Sequence, residues 1–212
     1  MGKIKEGILG GFSGKVGAVI GASWKGIEYM RGLPHKSNKP RTDGQLAQQM
    51  VFTLHREFCG GAIEFVDDCF QNYEKHTPMN SAISYNMINA TTGIYPDLRV
   101  DFPNFMYSKG DLLGTWQPQA VSVTSQTLDL SWQNGLFNPM CSADDIVIAL
   151  VYDPVSREFA TFPQAAKRSD GMVQLELPGN FIGHGVHTYL SFYSKSRNIS
   201  STNQYVGETI VV

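Results

Sequence analysis

Leu128-Asp-Leu-Ser-Trp132 and Ile146-Val-Ile-Ala-Leu-Val-Tyr152 decide the fold class. The first stretch alternates apolar and polar residues, the period of a strand with one buried face. The second is an unbroken apolar run, fit for a central strand. Outward from this pair the period of two continues. Val121 and Val123 alternate with polar residues, and Phe159 and Phe162 flank another strand-like piece. Val173, Leu175 and Leu177 alternate before the Pro178-Gly179 turn, and Val186–Ser194 and Tyr205–Val212 close the series. Short strands separated by turn signals predict an antiparallel β-sandwich over residues 98–212.

Upstream of residue 98 the period is helical. Thr42-Asp-Gly-Gln45 reads as a capping box, Thr at the N-cap and Gln three residues on. Leu46, Met50, Leu54 and Phe58 follow at i+4 spacing, which predicts an amphipathic helix. Gly60-Gly61 breaks it. Ile63, Val66, Phe70 and Tyr73 form a second helical stripe. Thr77-Pro78, N-cap then N1 proline, opens a third helix running through Ile83, Met87 and Ile88 towards Gly93. Residues 42–97 are thus expected to be a small helical unit.

Residues 1–41 read as a basic, Gly-rich β-arm. Val16-Gly-Ala-Val-Ile20 and Ile27-Glu-Tyr-Met-Arg31 are β-prone, and Trp24-Lys25-Gly26 lies between them, the pattern of a hairpin. Pro34 and Pro40 hold an extended link. A Gly-rich hairpin has few side chains to bury and is marginal alone, so it needs another surface.

Two resemblances add to this reading. Residues 115–212 resemble a fibronectin type III-like sandwich, through Leu128-Asp-Leu-Ser-Trp132 as an early strand with a buried tryptophan, and Leu177-Pro-Gly179 followed by Tyr189. Tyr189 alternates opposite to Leu190 and Phe192, which bears on its use as a tyrosine corner. The whole chain resembles an uncharacterised Bacteroidetes family, a domain of unknown function. The carriers are Gly14-Lys-Val-Gly17, Gly21-Ala-Ser-Trp-Lys-Gly26, Arg31, and Asn38-Lys-Pro-Arg-Thr42 with Gln45. That resemblance implies the two-part layout and no catalytic residue. The expected fold class is α+β: an N-terminal Gly-rich β-hairpin arm and short helical unit, followed by an antiparallel fibronectin III/Ig-like β-sandwich.

Composition narrows function further. The chain has 212 residues, enough for a real core without disulfides or metals. Charged residues make up only 17%, their place taken by 51 Ser, Thr, Asn and Gln residues, a surface that favours self-association. Net charge is −2, against a general polyanion binder, but it is divided: residues 1–45 carry +5 and the rest −7. Cys59, Cys69 and Cys141 lack CxxC spacing, so they are expected to be ordinary thiols. No run has the roughly 18 apolar residues of a membrane helix. Lys15 interrupts the apolar stretch near the start, so no cleaved signal is expected. The sequence names no compartment; the cytoplasm and an assembly such as a virion both fit this reading.

Chemical motifs fail one by one. A Walker loop ending at Lys15 would need Gly at Leu9 and Ser or Thr at Val16. Gly11-Phe-Ser-Gly14 is followed by Lys15, so it is no nucleophile elbow. His35, His55, His76, His184 and His187 form no HExxH, and His184 and His187 have no carboxylate at ligand spacing. Asp67-Asp68 and Asp144-Asp145 are read as solvated caps or turns. No catalytic residue, cofactor or metal is therefore expected.

The arm carries the functional weight. Lys15, Trp24, Lys25, Tyr29, Arg31, Lys36, Lys39 and Arg41 mix cations with rings and are the candidate interface. The leading expectation is a non-catalytic structural or interaction protein whose arm drives self-association into a homo-oligomer or filament, docking against acidic surface. Nucleic acid bound through the same cations and rings is the first alternative. A carbohydrate-binding sandwich using aromatics such as Trp116 or Trp132 is the second.

Overall fold

The computed structural model describes residues 3–4, 11–24, 26–34, 39–71 and 76–212. The chain divides into two compact units, Met1–Arg41 and Thr42–Val212.

In the first unit, β1 (Lys3–Ile4), β2 (Phe12–Val16), β3 (Val19–Trp24) and β4 (Ile27–Gly32) form an antiparallel sheet in chain order. The stretch Val16–Ile20, read from sequence as one strand, is instead a turn with a strand residue on each side. Val16 pairs with Val19, and Gly17 takes φ 55° between them. Gly17 at the first position of a two-residue loop gives the positive φ that matches strand twist. Gly21 is needed for closeness: a Cβ there would overlap the Phe12 carbonyl oxygen. β3 and β4 pair without interruption from Val19↔Gly32 to Trp24↔Ile27.

The second unit opens with three helices, α1 (Asp43–Gly61), α2 (Ile63–Cys69) and α3 (Pro78–Asn89). Both halves of the capping box form at α1: Gln45 N–H donates to Thr42 Oγ1 at 3.4 Å, and Thr42 N–H to Gln45 Oε1 at 3.2 Å. α1 ends at the Gly pair, as expected. Thr77 Oγ1 caps α3 by accepting from Asn80 N–H, with Pro78 in the first turn. The α2 stripe is shorter than expected: the helix stops before Phe70, and Tyr73 lies outside the described residues.

A small hairpin, β5 (Thr91–Thr92) with β6 (Arg99–Val100), leads into the sandwich strands: β7 (Trp116–Val121), β8 (Thr127–Gln133), β9 (Ile146–Asp153), β10 (Glu158–Lys167), β11 (Met172–Glu176), β12 (Gly185–Ser194), β13 (Ile199–Ser200) and β14 (Gln204–Ile210). One sheet has the order β11-β8-β7. The other runs β10-β9-β12, with β13 and β14 both on the far side of β12. Three strands in one sheet and five in the other, all antiparallel, make a β-sandwich, and with the helices they make the unit α+β.

The β9–β12 sheet is covered on both faces. Val147, Ala149, Val151, Leu190 and Phe192 point to the sandwich interior, where they meet Leu128, Leu130, Trp132 and Leu175. Ile148, Leu150, Tyr152 and Tyr189 point the other way and pack on Phe58, Phe65, Val66, Ile83 and Phe105 of the helical side. That second cover explains why Ile146–Tyr152 is apolar at every position. It also accounts for the opposite parity of Tyr189. Its hydroxyl donates to the Phe102 carbonyl at 2.9 Å, so it anchors the helical layer and forms no tyrosine corner. Trp132 is core, and its Nε1–H donates to the Arg168 carbonyl at 3.1 Å. Among the described residues no helix is long and apolar enough to cross a membrane.

Candidate functional site

Strand register sorts the arm's side chains onto two faces, because directly paired residues share a face and neighbours along a strand alternate. Lys15 pairs with Ile20, which pairs with Arg31. The next rows on that face are Ala22 beside Tyr29, then Trp24 beside Ile27. Four of the eight candidate residues, Lys15, Trp24, Tyr29 and Arg31, therefore lie on one face. The two cations sit at one end, about 10 Å apart across two strand spacings. The rings and Ile27 sit at the other end. The opposite face carries Val16, Val19, Met30 and one acid, Glu28.

All six residues of β4 are exposed, including Ile27 at 65% and Met30 at 70%. Among the described residues no strand pairs with the outer side of β4. Lys39 and Arg41 follow the sheet in the extended link and are exposed. Lys25 and Lys36 lie outside the described residues, as does His35. The face can offer cations for an anionic partner, flat rings for packing, and an open row of backbone donors and acceptors.

Elsewhere the fold joins residues that spacing kept apart. Asp145, read as a solvated turn residue, is buried and ion-paired to the equally buried Arg168, Nε to Oδ2 at 3.2 Å. Arg197 reaches its other oxygen at 3.3 Å. The Arg168 guanidinium lies 3.7 Å from the Phe192 ring centre and donates to the Leu113 carbonyl at 2.7 Å. Asp144 fits the solvated reading: it is exposed and meets Lys167 at 3.2 Å.

His184 does acquire a carboxylate, from Asp153 at 2.7 Å, a partner 31 residues away that no local spacing could show. Burial alone would raise the Asp153 pKa. Hydrogen bonds from Ser156, His184 and the Val155 N–H outweigh it and hold the carboxyl below its ordinary range. His55 is buried on α1. Thr91 spends its hydroxyl proton on the Met87 carbonyl, so it accepts from His55 Nε2–H at 2.7 Å, leaving Nδ1 as a bare acceptor. Burial lowers the His55 pKa. Among the described residues no three His, Cys, Asp or Glu side chains converge as metal ligands do.

The three cysteines are buried and unbridged. Burial pushes the Cys59 and Cys69 thiols up to about 12, which suppresses thiolate chemistry. Trp116 is exposed beside a groove of about 550 Å³ that Leu113, Leu136 and Gln204 also line, with no acid among its lining residues.

Residues 11–207 match the Family of unknown function (DUF6266). No curated protein matches the chain.

Proposed function

Because the chain belongs to a family of unknown function, DUF6266, whose description assigns no activity, we propose from the arm's geometry that it is a non-catalytic assembly protein. The arm joins copies by strand addition at β4. The observation carrying this reading is the open edge of β4: six exposed residues with no proline, no lysine and no bulge. Natural sheet edges are usually blunted by such devices or by other charges; β4 has Glu28 and Arg31, one on each face, and its unpaired backbone is otherwise open as a template for another strand.

On the adjoining face, Lys15 and Arg31 offer positive charge to a body whose residues 46–212 carry −7. Trp24, Ile27 and Tyr29 supply apolar area. If β4 meets β4 of a second copy across a two-fold axis, the assembly closes as a dimer. If it meets a different edge, it grows as a filament. The run Gly14–Gly17, Gly21–Gly26 and Asn38–Thr42 serves this reading as the family's sequence signature, with Bacteroidetes as its source and the cytoplasm or an assembled particle as its location.

The test is light scattering and electron microscopy of the full chain beside its Ile27→Lys/Met30→Lys variant. We expect oligomers of the parent that grow with concentration and a variant that stays monomeric. Equal masses for the two would overturn the proposal. Material absorbing at 260 nm that leaves in high salt would instead favour nucleic acid as the arm's partner.

A further inference from the structure

A groove of about 780 Å³ opens in the second unit between α1, the β5–β6 hairpin and the β9–β10 turn. Its apolar lining includes Leu54 and Phe58 from α1, Phe102, and Tyr152 and Phe159 from the β9–β10 hairpin. Four of these side chains form one ring cluster: Phe58 lies 4.6 Å from Tyr152 and 4.9 Å from Phe159, and Phe102 lies 5.4 Å from Tyr152. Phe102 and Phe159 remain half-buried, so part of the cluster faces the opening. The volume falls within the roughly 300–1,000 Å³ of small-molecule sites.

Three charged side chains line the groove: Arg99 on β6, Arg157 in the turn and Glu57 on α1. Among the described residues neither arginine makes an ion pair. Two cations of an acidic body are thus directed to the mouth of an aromatic pocket.

The Arg157 site is built. Arg157 takes φ 60°, in the left-handed region that favours glycine or asparagine. Its turn is fixed from within. Asp153 Oδ1 accepts from Val155 N–H at 2.8 Å, Oδ2 from Ser156 N–H at 3.3 Å, and the Asp153 carbonyl from Arg157 N–H at 2.9 Å. His184 of the neighbouring segment holds the same carboxylate. Arg157 also acts on the pocket floor. Burial raises the Tyr152 phenol pKa; the Arg157 charge opposes that rise and the Asp153 charge adds to it. The Arg99 backbone is held by its pairing with Thr92 in β5.

We propose that this groove binds an amphipathic organic anion, an aromatic or branched apolar body bearing one acidic group, with the body on the Phe102–Tyr152–Phe159 floor and the acidic group between Arg99 and Arg157. The apolar floor and the positive rim each favour one half of such a ligand. Glu57 sets a polarity to the site, since it repels an acidic group placed on the α1 side. Assembly through the arm is independent of this site.

The probe is 8-anilinonaphthalene-1-sulfonate, fused rings with one fixed negative charge, and its fluorescence is titrated against the full chain. Arg99→Gln and Arg157→Gln should each weaken binding about tenfold, the loss of one charge-assisted contact. Glu57→Gln should tighten it severalfold, and added salt should weaken it. N-phenyl-1-naphthylamine, which lacks the sulfonate, should respond to none of the three substitutions. All three residues are exposed, so the variants keep the fold, which circular dichroism checks. Amide shifts on binding should cluster in residues 54–58, 92–100 and 152–159. Absence of binding, affinities unmoved by the arginine substitutions, or shifts confined to the Trp116 groove or the arm would each overturn the proposal.

Discussion

Arg168 and Asp145 show how a residue's role depends on what the chain folds around it. Both are buried, and each satisfies the other's charge. Removing one partner leaves an uncompensated charge inside, so Asp145→Ala should lower stability by about 3–5 kcal/mol in urea unfolding. Arg197→Ala, at the partly exposed side of the same carboxylate, should cost about 1 kcal/mol or less. Nothing in the local sequence distinguishes Asp145 from Asp144, because the difference arises from Arg168 arriving across the sheet.

The two buried histidines predict the acid response. Burial lowers the pKa of both His55 and His187, with Glu208 partly opposing the shift at His187. The unfolded chain takes up protons near the ordinary value of 6.5, and the native chain does so only at lower pH. Between those values the unfolded state binds more protons, so stability falls as pH drops through that window. His55→Leu should shrink the loss in urea midpoint between about pH 7.5 and pH 5.5. An undiminished loss would assign the effect elsewhere.

At the scale of elements, the caps were the most legible feature, because capping chemistry is local. Thr42 and Gln45 announce the start of α1 within four residues, and the structure forms both bonds. Thr42→Ala should cost about 1 kcal/mol, read as a lower thermal midpoint. The long segment between β6 and β7 gave no such signal. It is stitched by carboxamides from distant elements. Asn86 of α3 accepts from Met106 N–H and donates to its carbonyl, at 2.8 and 2.7 Å. Gln204 of β14 does the same for Thr115, at 2.7 and 2.9 Å. An amide side chain that copies a backbone pairing leaves no periodicity to read. The arm's turn at Gly17 was likewise hidden, since valines on both sides of it resemble one continuous strand.

At the scale of the molecule, the sandwich was readable from alternation, whereas the helical layer's seat was not. The unbroken apolar run in β9 recorded that both faces are buried without saying by what. The candidate face of the arm was legible as a mixture of cations and rings. Their gathering onto one side required the strand register. Because one sheet serves two cores, damage to either should be felt by both. Leu150→Ala, on the helical side, should cost about 2–5 kcal/mol. It should shift helical circular dichroism and, with Trp24 and Trp116 replaced by Phe, Trp132 fluorescence together, as one transition. Separate transitions would mean that the helices and the sandwich unfold independently.

The doubly covered sheet also constrains biosynthesis. A ribosome releases α1, α2 and α3 well before it has made β9, and β12 emerges later still. For that interval the nascent helices hold Phe58, Phe65 and Ile83 towards a seat that has not been synthesised. The N-terminal half must therefore wait in a provisional state, shielded by chaperones or by itself, until the last third of the polypeptide leaves the exit tunnel.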